Sequence, residues 1–576
     1  MSDKNPLTLR FIYSHIAGKR VNMKPLMFAF YSCVVGSICC LQQVSASSLR
    51  CSETIDAQIR QERSALQTLL ARHHNASRVD ARALGLTEND LDDASNLTVR
   101  QRLAFRRMYP NLHYPRRGPI QYPRWAYSLM NRMDRQGSVS CGIVTNQSKP
   151  EDIATQAITP YVLVNANINV SNDNISEAET YLAIDPTNPQ YMVGASNVNL
   201  SGYGQRMYSS SDYGTTWSTF QIQPKNTNQS DPGVNFDSNG NVYTVTLDYT
   251  GNLTQVKFYK STDHGKTFPT QIVVDSSAGN DKELAAIDYQ PASSCRDQIY
   301  VGWDDGKAQY ASTTTAPNSG VFAPKIAVQS KGSTIAADLA VGPPPSAGSA
   351  APVYYVWTST ANSTINFSKS INCGASWSTY KTIAQTKDSY DYGIPAQCNR
   401  RVLIYPTIDV DRSNSAHRGW IYAVWNDFTA VQSSGCISSS DPNNANVWFS
   451  RSTDGGSTWA SPKIVNANIA FTDHFNQWMS VDDFDGTIHL SWRDTRNDPN
   501  RQKTDVYYTK STDGGSTFIP EVKVTSAMSD ETTAGASADQ YGDYEGLAVR
   551  NGNAYPFWTD RRSSNPEEIY TVKVTP

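Results

Sequence analysis

The feature that most constrains this chain is a unit that recurs seven times after about residue 158. Each copy reads as an apolar strand ending near an Asp, a turn, then a strand ending in an aromatic residue and a polar cluster. Tyr181-Leu-Ala-Ile-Asp185 with Tyr191-Met-Val-Gly is the first copy, and Leu284-Ala-Ala-Ile-Asp288 with Ile299-Tyr-Val-Gly-Trp303 the third. Trp478-Met-Ser-Val-Asp482 with Ile488-His-Leu-Ser-Trp492 is the sixth, and Glu545-Gly-Leu-Ala-Val549 with Ala554-Tyr-Pro-Phe-Trp558 the seventh. Successive copies lie 51 to 71 residues apart, enough for one four-stranded blade each. The fold class expected is all-β, a seven-bladed β-propeller, with a six-bladed ring as the alternative if one unit is an insertion. The seventh unit ends at Ile569-Tyr-Thr-Val-Lys-Val without a fourth strand, whereas Ile158 to Asn165 reads as an orphan outer strand. Pairing the two closes the ring and leaves no open edge.

A second signature follows most copies. It reads Ser210-Ser-Asp-Tyr-Gly-Thr-Thr-Trp217, Ser261-Thr-Asp-His-Gly-Lys-Thr-Phe268 and Ser370-Ile-Asn-Cys-Gly-Ala-Ser-Trp377. It recurs as Ser452-Thr-Asp-Gly-Gly-Ser-Thr-Trp459 and Ser511-Thr-Asp-Gly-Gly-Ser-Thr-Phe518. The chemistry is that of a hairpin turn. Ser and Asp side chains bond back to turn amides, Gly takes backbone angles other residues resist, and the aromatic ring packs the turn on its blade. These residues are read as structural.

The 576 residues exceed one ordinary core, and a formal charge of -3 gives no global field for nucleic acid or an acidic membrane. Residues 1–46 read as a signal peptide whose true start is Met23, with a basic opening, an apolar run from Phe28 to Leu41 and small residues at Val44-Ser45-Ala46. That run is too short for a comfortable membrane span. Export to the extracellular space, or to a periplasm, follows as an expectation. Residues 47–157 read as a helical or irregular segment, and residues 158–576 as the propeller. Six Cys remain after the signal, an even count that permits disulfides without revealing their pairing. No cofactor is indicated, and no metal: Asp482-Asp-Phe-Asp485-Gly falls in a strand-to-strand turn, where Asp and Gly are common anyway.

In a propeller, the loops entering each innermost strand share one face with the loops leaving each second strand. That rule selects Glu179, Asp231, Asp281, Glu283, Arg401, His474, Gln477, Asp539, Tyr541, Asp543, Tyr544 and Glu545 from entering loops. From leaving loops it selects Asp304, Asp305, Asp427, Arg493, Asp494, Arg496, Asp560, Arg561 and Arg562. Carboxylates facing each other at the channel mouth would acquire split pKa values, as glycoside hydrolysis needs. Arginines could hold a substrate carboxylate by paired hydrogen bonds. The bland reading is that these charges pin neighbouring blades together.

The Ser-x-Asp-x-Gly-x-Thr-Trp turns resemble those of the sialidase-like, Asp-box (bacterial neuraminidase repeat) proteins, from about residue 158 to the end. The resemblance implies an Asp acid, a Tyr nucleophile helped by a Glu, and three Arg on the carboxylate of a sialic acid. Tyr544-Glu-Gly-Leu547 resembles the nucleophile segment, and Asn476 to Arg493 the segment carrying the helper Glu and a triad Arg. Gln477 stands where that Glu belongs, and Glu179-Thr-Tyr-Leu where an Arg-Ile-Pro motif belongs. The resemblance thus implies an exo-α-sialidase-type hydrolase with Tyr544, Glu545, Glu179 and Glu283 as catalytic candidates. Arg493, Arg496, Arg561, Asp494, Asp560 and Tyr541 are its substrate-binding candidates. Two alternatives stand beside it: a non-catalytic propeller that binds glycans or proteins, and another glycoside hydrolase using paired carboxylates. The partner expected is a glycan or glycoconjugate, with no nucleic acid and no stable membrane span, and the chain is expected to act as a monomer.

Overall fold

A computed structural model describes Val162–Thr575 apart from 199–203, 223–227, 251–252, 317–318, 433–434, 468, 538–539 and 563–565, together with a short strand pair, His15–Ile16 and Lys19–Arg20. The helical expectation for 47–157 lies outside these residues, as does the signal peptide apart from that pair. The propeller has seven blades.

Blade 1 is built from Glu177–Ile184, Met192–Val198, Arg206–Ser210 and Ser218–Gln221, from the channel outward. Blades 2 to 6 begin at Asn228, Asp281, Thr334, Thr407 and His474. Blade 7 is made of Gly546–Arg550, Asn553–Asp560 and Glu568–Thr571, and its outer strand is Ile168–Asn169 from the other end of the propeller sequence. Leu163–Val164 adds a second clasp on Val574–Thr575. The expected closure forms, with its outer strand a few residues later than the sequence suggested.

The aromatic residues that end the second strands are the cores between blades. Trp303, Trp357, Trp425, Trp492 and Trp558 are all fully buried. Trp357 Nε1 donates to Gln329 Oε1 at 2.8 Å and Trp558 Nε1 to Asp560 Oδ2 at 2.7 Å, so the indole loses its water without losing a partner. The Ser-x-Asp-x-Gly turns have the expected bonds: Gly515 N donates to Ser511 Oγ at 2.9 Å and Thr517 N to Asp513 Oδ1 at 2.9 Å. Their glycines also touch the preceding blade. At Gly456 and Gly515 φ is 80° and 78°, and a Cβ would sit 2.2 Å from Phe367 and 2.3 Å from Phe449. Each turn therefore sets both its own hairpin and the blade-to-blade spacing.

Four Cys pair. Cys295–Cys373 joins blade 3 to the blade 4 turn in which Asn372 replaces the usual Asp. Cys398–Cys436 ties the hairpin of Asp391–Ile394 and Gln397–Leu403 to the loop leaving blade 5's second strand.

Candidate functional site

The innermost strands of blades 1, 2, 3, 4 and 6 share a β-bulge near their start, seen as register shifts beside Ala178, Ser230, Asp281, Ile335 and Phe475. In each bulge one residue takes a positive φ: Glu179 at 55°, Asp231 at 57°, Lys282 at 48°, Ala336 at 66° and Asn476 at 47°. Left-handed backbone costs a non-glycine residue about 1 to 2 kcal/mol. The positions are equivalent around the ring, and three consecutive ones carry opposite charges. A bulge re-aims a side chain, and here it turns Glu179, Asp231 and Lys282 toward one another.

Lys282 sits at the centre. Its Nζ lies 2.6 Å from Asp231 Oδ2 and 2.5 Å from Asp543 Oδ2, all three residues being buried. Arg400, on the disulfide-tied hairpin, reaches over from the gap between blades 4 and 5. Its Nη2 lies 2.8 Å from Glu179 Oε1 and 2.7 Å from Asp543 Oδ1, and its side chain remains 31% exposed. Asn197 Nδ2 donates to Glu179 Oε2 at 2.5 Å, and its Oδ1 accepts from Asp231 N at 2.8 Å. Oxygens of Glu179, Asp231 and Asp543 all lie within 4.8 Å of one another, the spacing of a metal cage. The Lys282 ammonium is bonded to two of those carboxylates, so the protein supplies its own cation there.

These neighbours split the carboxyl groups. Burial, reinforced by the charges of Asp231 and Asp543, pushes Glu179 well above the usual range. Burial acts on Asp231 too, but the Lys282 ammonium and a hydrogen bond from Glu179 overcome it and hold Asp231 low. Glu283, beside Lys282, is pushed well up by burial and by Asp231, and neither of its oxygens has a hydrogen-bond partner among the described residues. One acid thus keeps its proton next to a carboxylate that stays ionised, the arrangement used by general acid–base pairs.

Aromatic rings lie beside the charges. Tyr544 packs on Tyr405 and Trp478 with ring centroids 5.5 and 5.9 Å away, and Trp478 meets Tyr181 at 5.4 Å. Tyr181 and Trp478 also line a cavity of about 180 Å³, together with Arg412, Asp483 and Arg550. The Tyr544 hydroxyl donates to the Pro232 carbonyl at 3.1 Å. Burial, then the nearby Asp231, drives this phenol well above its ordinary range. The residue expected from the resemblance as nucleophile is thus a buried phenol whose hydroxyl is held by a carbonyl, with Asp231 nearby.

The remaining candidates form other groups. Glu545, one of the catalytic candidates, is bound to Arg493, whose Nε donates to its Oε1 at 2.8 Å. Arg493 is fully buried, donates to Thr504 Oγ1 at 2.9 Å, and lies 3.5 Å over the Tyr541 ring. Arg496 pairs with Asp494 at 2.5 Å, and Asp494 also accepts from Trp492 Nε1 at 3.1 Å. Asp560 holds Arg562 at 2.7 Å, and Arg561 donates to the carbonyls of Asp530 and Ala534 at 3.0 Å each. Arg493 and Arg561 bridge blades 6 and 7, as the blade-pinning reading expects, while Arg496 and Arg562 pair with acids two residues away in their own blades. Arg401, the arginine singled out in this loop, pairs with Asp391 at 2.7 Å, while its neighbour Arg400 reaches the cluster.

Sequence reasoning found Glu179, Asp231, Asp281, Glu283 and Asp543 but missed Lys282, Arg400 and Asn197. It weighed acids and arginines. A Lys at the same bulge position as Glu179 and Asp231 was the available signal.

No protein-family profile matches the sequence, and no curated protein matches it. Solved structures of similar shape include a protein of unknown function from Dyadobacter fermentans, at 11% identity and TM-score 0.39, covering 72% of this chain and 99% of that one. The phage phi92 endosialidase has 11% identity and TM-score 0.40, covering 72% and 69%. An α-L-arabinanase of Penicillium chrysogenum has 11% identity and TM-score 0.38, covering 72% and 98%. None of these likenesses bears on activity.

Proposed function

We propose that the chain is an exported glycan-acting propeller of the Asp-box kind that cleaves glycosidic bonds with paired carboxylates. The observation that carries this is the set of three buried carboxylates, oxygens within 4.8 Å of one another, at the start of the innermost strands. Glu179, protonated by burial among like charges, gives its proton to the glycosidic oxygen as the C–O bond breaks. Asp231, kept ionised by Lys282, attacks the anomeric carbon and forms a glycosyl ester. Water deprotonated by the Glu179 carboxylate then cleaves the ester, restoring both groups. This spacing is too short for inversion, which needs carboxyl groups about 6.5 to 9.5 Å apart to admit a water. Lys282 stays on Asp543 while Asp231 reacts. The two disulfides support export, because such bonds persist in oxidising compartments.

A panel of aryl glycosides incubated with the full chain tests this, with the anomer of the product read by NMR. Turnover with retention is expected. No turnover on any glycan, or Glu179→Gln and Asp231→Asn variants as active as the parent, sinks the hydrolase reading. One observation favours a second reading, a non-catalytic glycan binder: the Lys282 ammonium occupies the space between the carboxylates. Binding without turnover at any pH would select it.

A further inference from the structure

The polar atoms around the cluster are unequal in kind. Gln397 Nε2 donates to the carbonyls of Arg401 at 2.6 Å and Gly542 at 3.3 Å, and Asn476 Nδ2 donates to the same Gly542 carbonyl at 3.2 Å. Gln477 Nε2 donates to the Tyr405 carbonyl at 2.7 Å. These bonds fix the orientation of all three amides. Their oxygens have no hydrogen-bond partner among the described residues, although the side chains are buried, at 0%, 3% and 2% exposure. Glu283, 1% exposed, has two more such oxygens. Buried acceptors left unmatched cost about 1 to 3 kcal/mol each, so this concentration points to a ligand that donates.

The amides belong to the cluster. A Cβ on Gly542 would stand 2.2 Å from Glu179 Cγ, which puts the carbonyl shared by Gln397 and Asn476 beside the acid. Gln477 binds Tyr405, whose ring packs on Tyr544, and the Tyr544 hydroxyl bonds the residue after Asp231.

The cations at the mouth are neutralised. Lys282 faces Asp231 and Asp543, Arg400 faces Glu179 and Asp543, and Arg401 faces Asp391. Arg493 and Arg496 are paired with Glu545 and Asp494. A ligand carboxylate entering here would meet Asp231, Asp543 and Asp281 with no guanidinium released to receive it.

We infer that this site takes a neutral, hydroxyl-rich sugar unit, bound through the amide oxygens of Gln397, Asn476 and Gln477 and through Glu283, and that it rejects acidic sugars. The inference rests on the proposed function for where the sugar sits, but not on its being cleaved. Calorimetry on the full-length Glu179→Gln protein, with neutral pentose and hexose tetrasaccharides against sialyllactose and tetragalacturonate, tests it. At least one neutral probe is expected to bind tenfold or more tighter than either acidic one. Gln477→Leu should weaken that probe by about tenfold, the loss of one hydrogen bond. Equal or tighter binding of an acidic probe, or no binding of any neutral probe, overturns the inference. Neutral binding without turnover by the parent protein upholds it while ending the hydrolase reading. Turnover of acidic glycans alone does the reverse.

Discussion

Asp513 and Glu179 are carboxylic acids of the same propeller, one in a hairpin turn and the other in a strand bulge, and their surroundings drive them in opposite directions. Asp513, in the blade 6 turn, is only lightly buried, and bonds from Thr517 and Ser511 overcome that burial and pull it down to about 2. Glu179, in the blade 1 bulge, is enclosed among like charges and pushed up. One carboxylate is satisfied locally and ionised, so it stabilises a turn. The other is compromised by groups from distant blades, so it holds a proton it can give away. Natural proteins accept such local conflict where function requires it.

The sharpest break of this comparison is in rate. With the substrate found by the glycoside panel, Glu179→Gln and Asp231→Asn should each lower kcat by about 100- to 10,000-fold, whereas Asp513→Asn should leave kcat unchanged. A loss at Asp513 equal to that at Glu179 would erase the distinction between the two ends of the blades.

In stability the order reverses. Trp357→Ala, which empties a buried interblade position, should cost about 3 to 5 kcal/mol in urea melts. Gly456→Ala should cost about 1 to 3 kcal/mol, since its Cβ would collide with Phe367 of the preceding blade. Asp513→Ala should cost about 1 kcal/mol, the value of a turn capped by hydrogen bonds and discounted for its solvent exposure. Asp513 also predicts a pH window. Its folded pKa lies below the unfolded one, so its contribution is present above about pH 4 and lost as pH falls toward about 2.

A second pH effect, of opposite sign, lies between blades 6 and 7. Burial, aided by Glu567, raises Glu531 to about 9, and burial raises Glu545 to about 7 against the pull of Arg493. Groups raised in the fold support it below their unfolded pKa and weaken it as pH rises through the folded one. Thermal stability should therefore fall from about pH 4.5 to pH 9, Glu545 contributing up to about pH 7 and Glu531 throughout. Glu531→Gln should flatten the upper half of that slope; an unchanged slope would show that Glu531 is not held protonated.

Much of the ring was legible because its code is local. The seven strand pairs repeat at blade spacing, and each Ser-x-Asp-x-Gly turn bonds residues only four apart. The clasp was legible from a missing fourth strand, although its position shifted to Ile168–Asn169, since register depends on which carbonyls the last blade leaves open. The site was half legible: topology placed Glu179, Asp231, Glu283 and Asp543 on one face. It could not show that Arg493 would be consumed by Glu545 or that Tyr544 would be tied to Pro232.

The sequence by itself determined the blades, their number and the turns, because strands and hairpins are written in neighbouring residues with a fixed period. Only the tertiary structure decided the chemistry. Asp543 N meets Glu179 Oε1 at 3.2 Å across 364 residues of chain, and Arg400 reaches both from a hairpin between two other blades. Whether a carboxyl group keeps its proton depends on water excluded and charges brought near, and those are set by ring closure rather than by any segment alone.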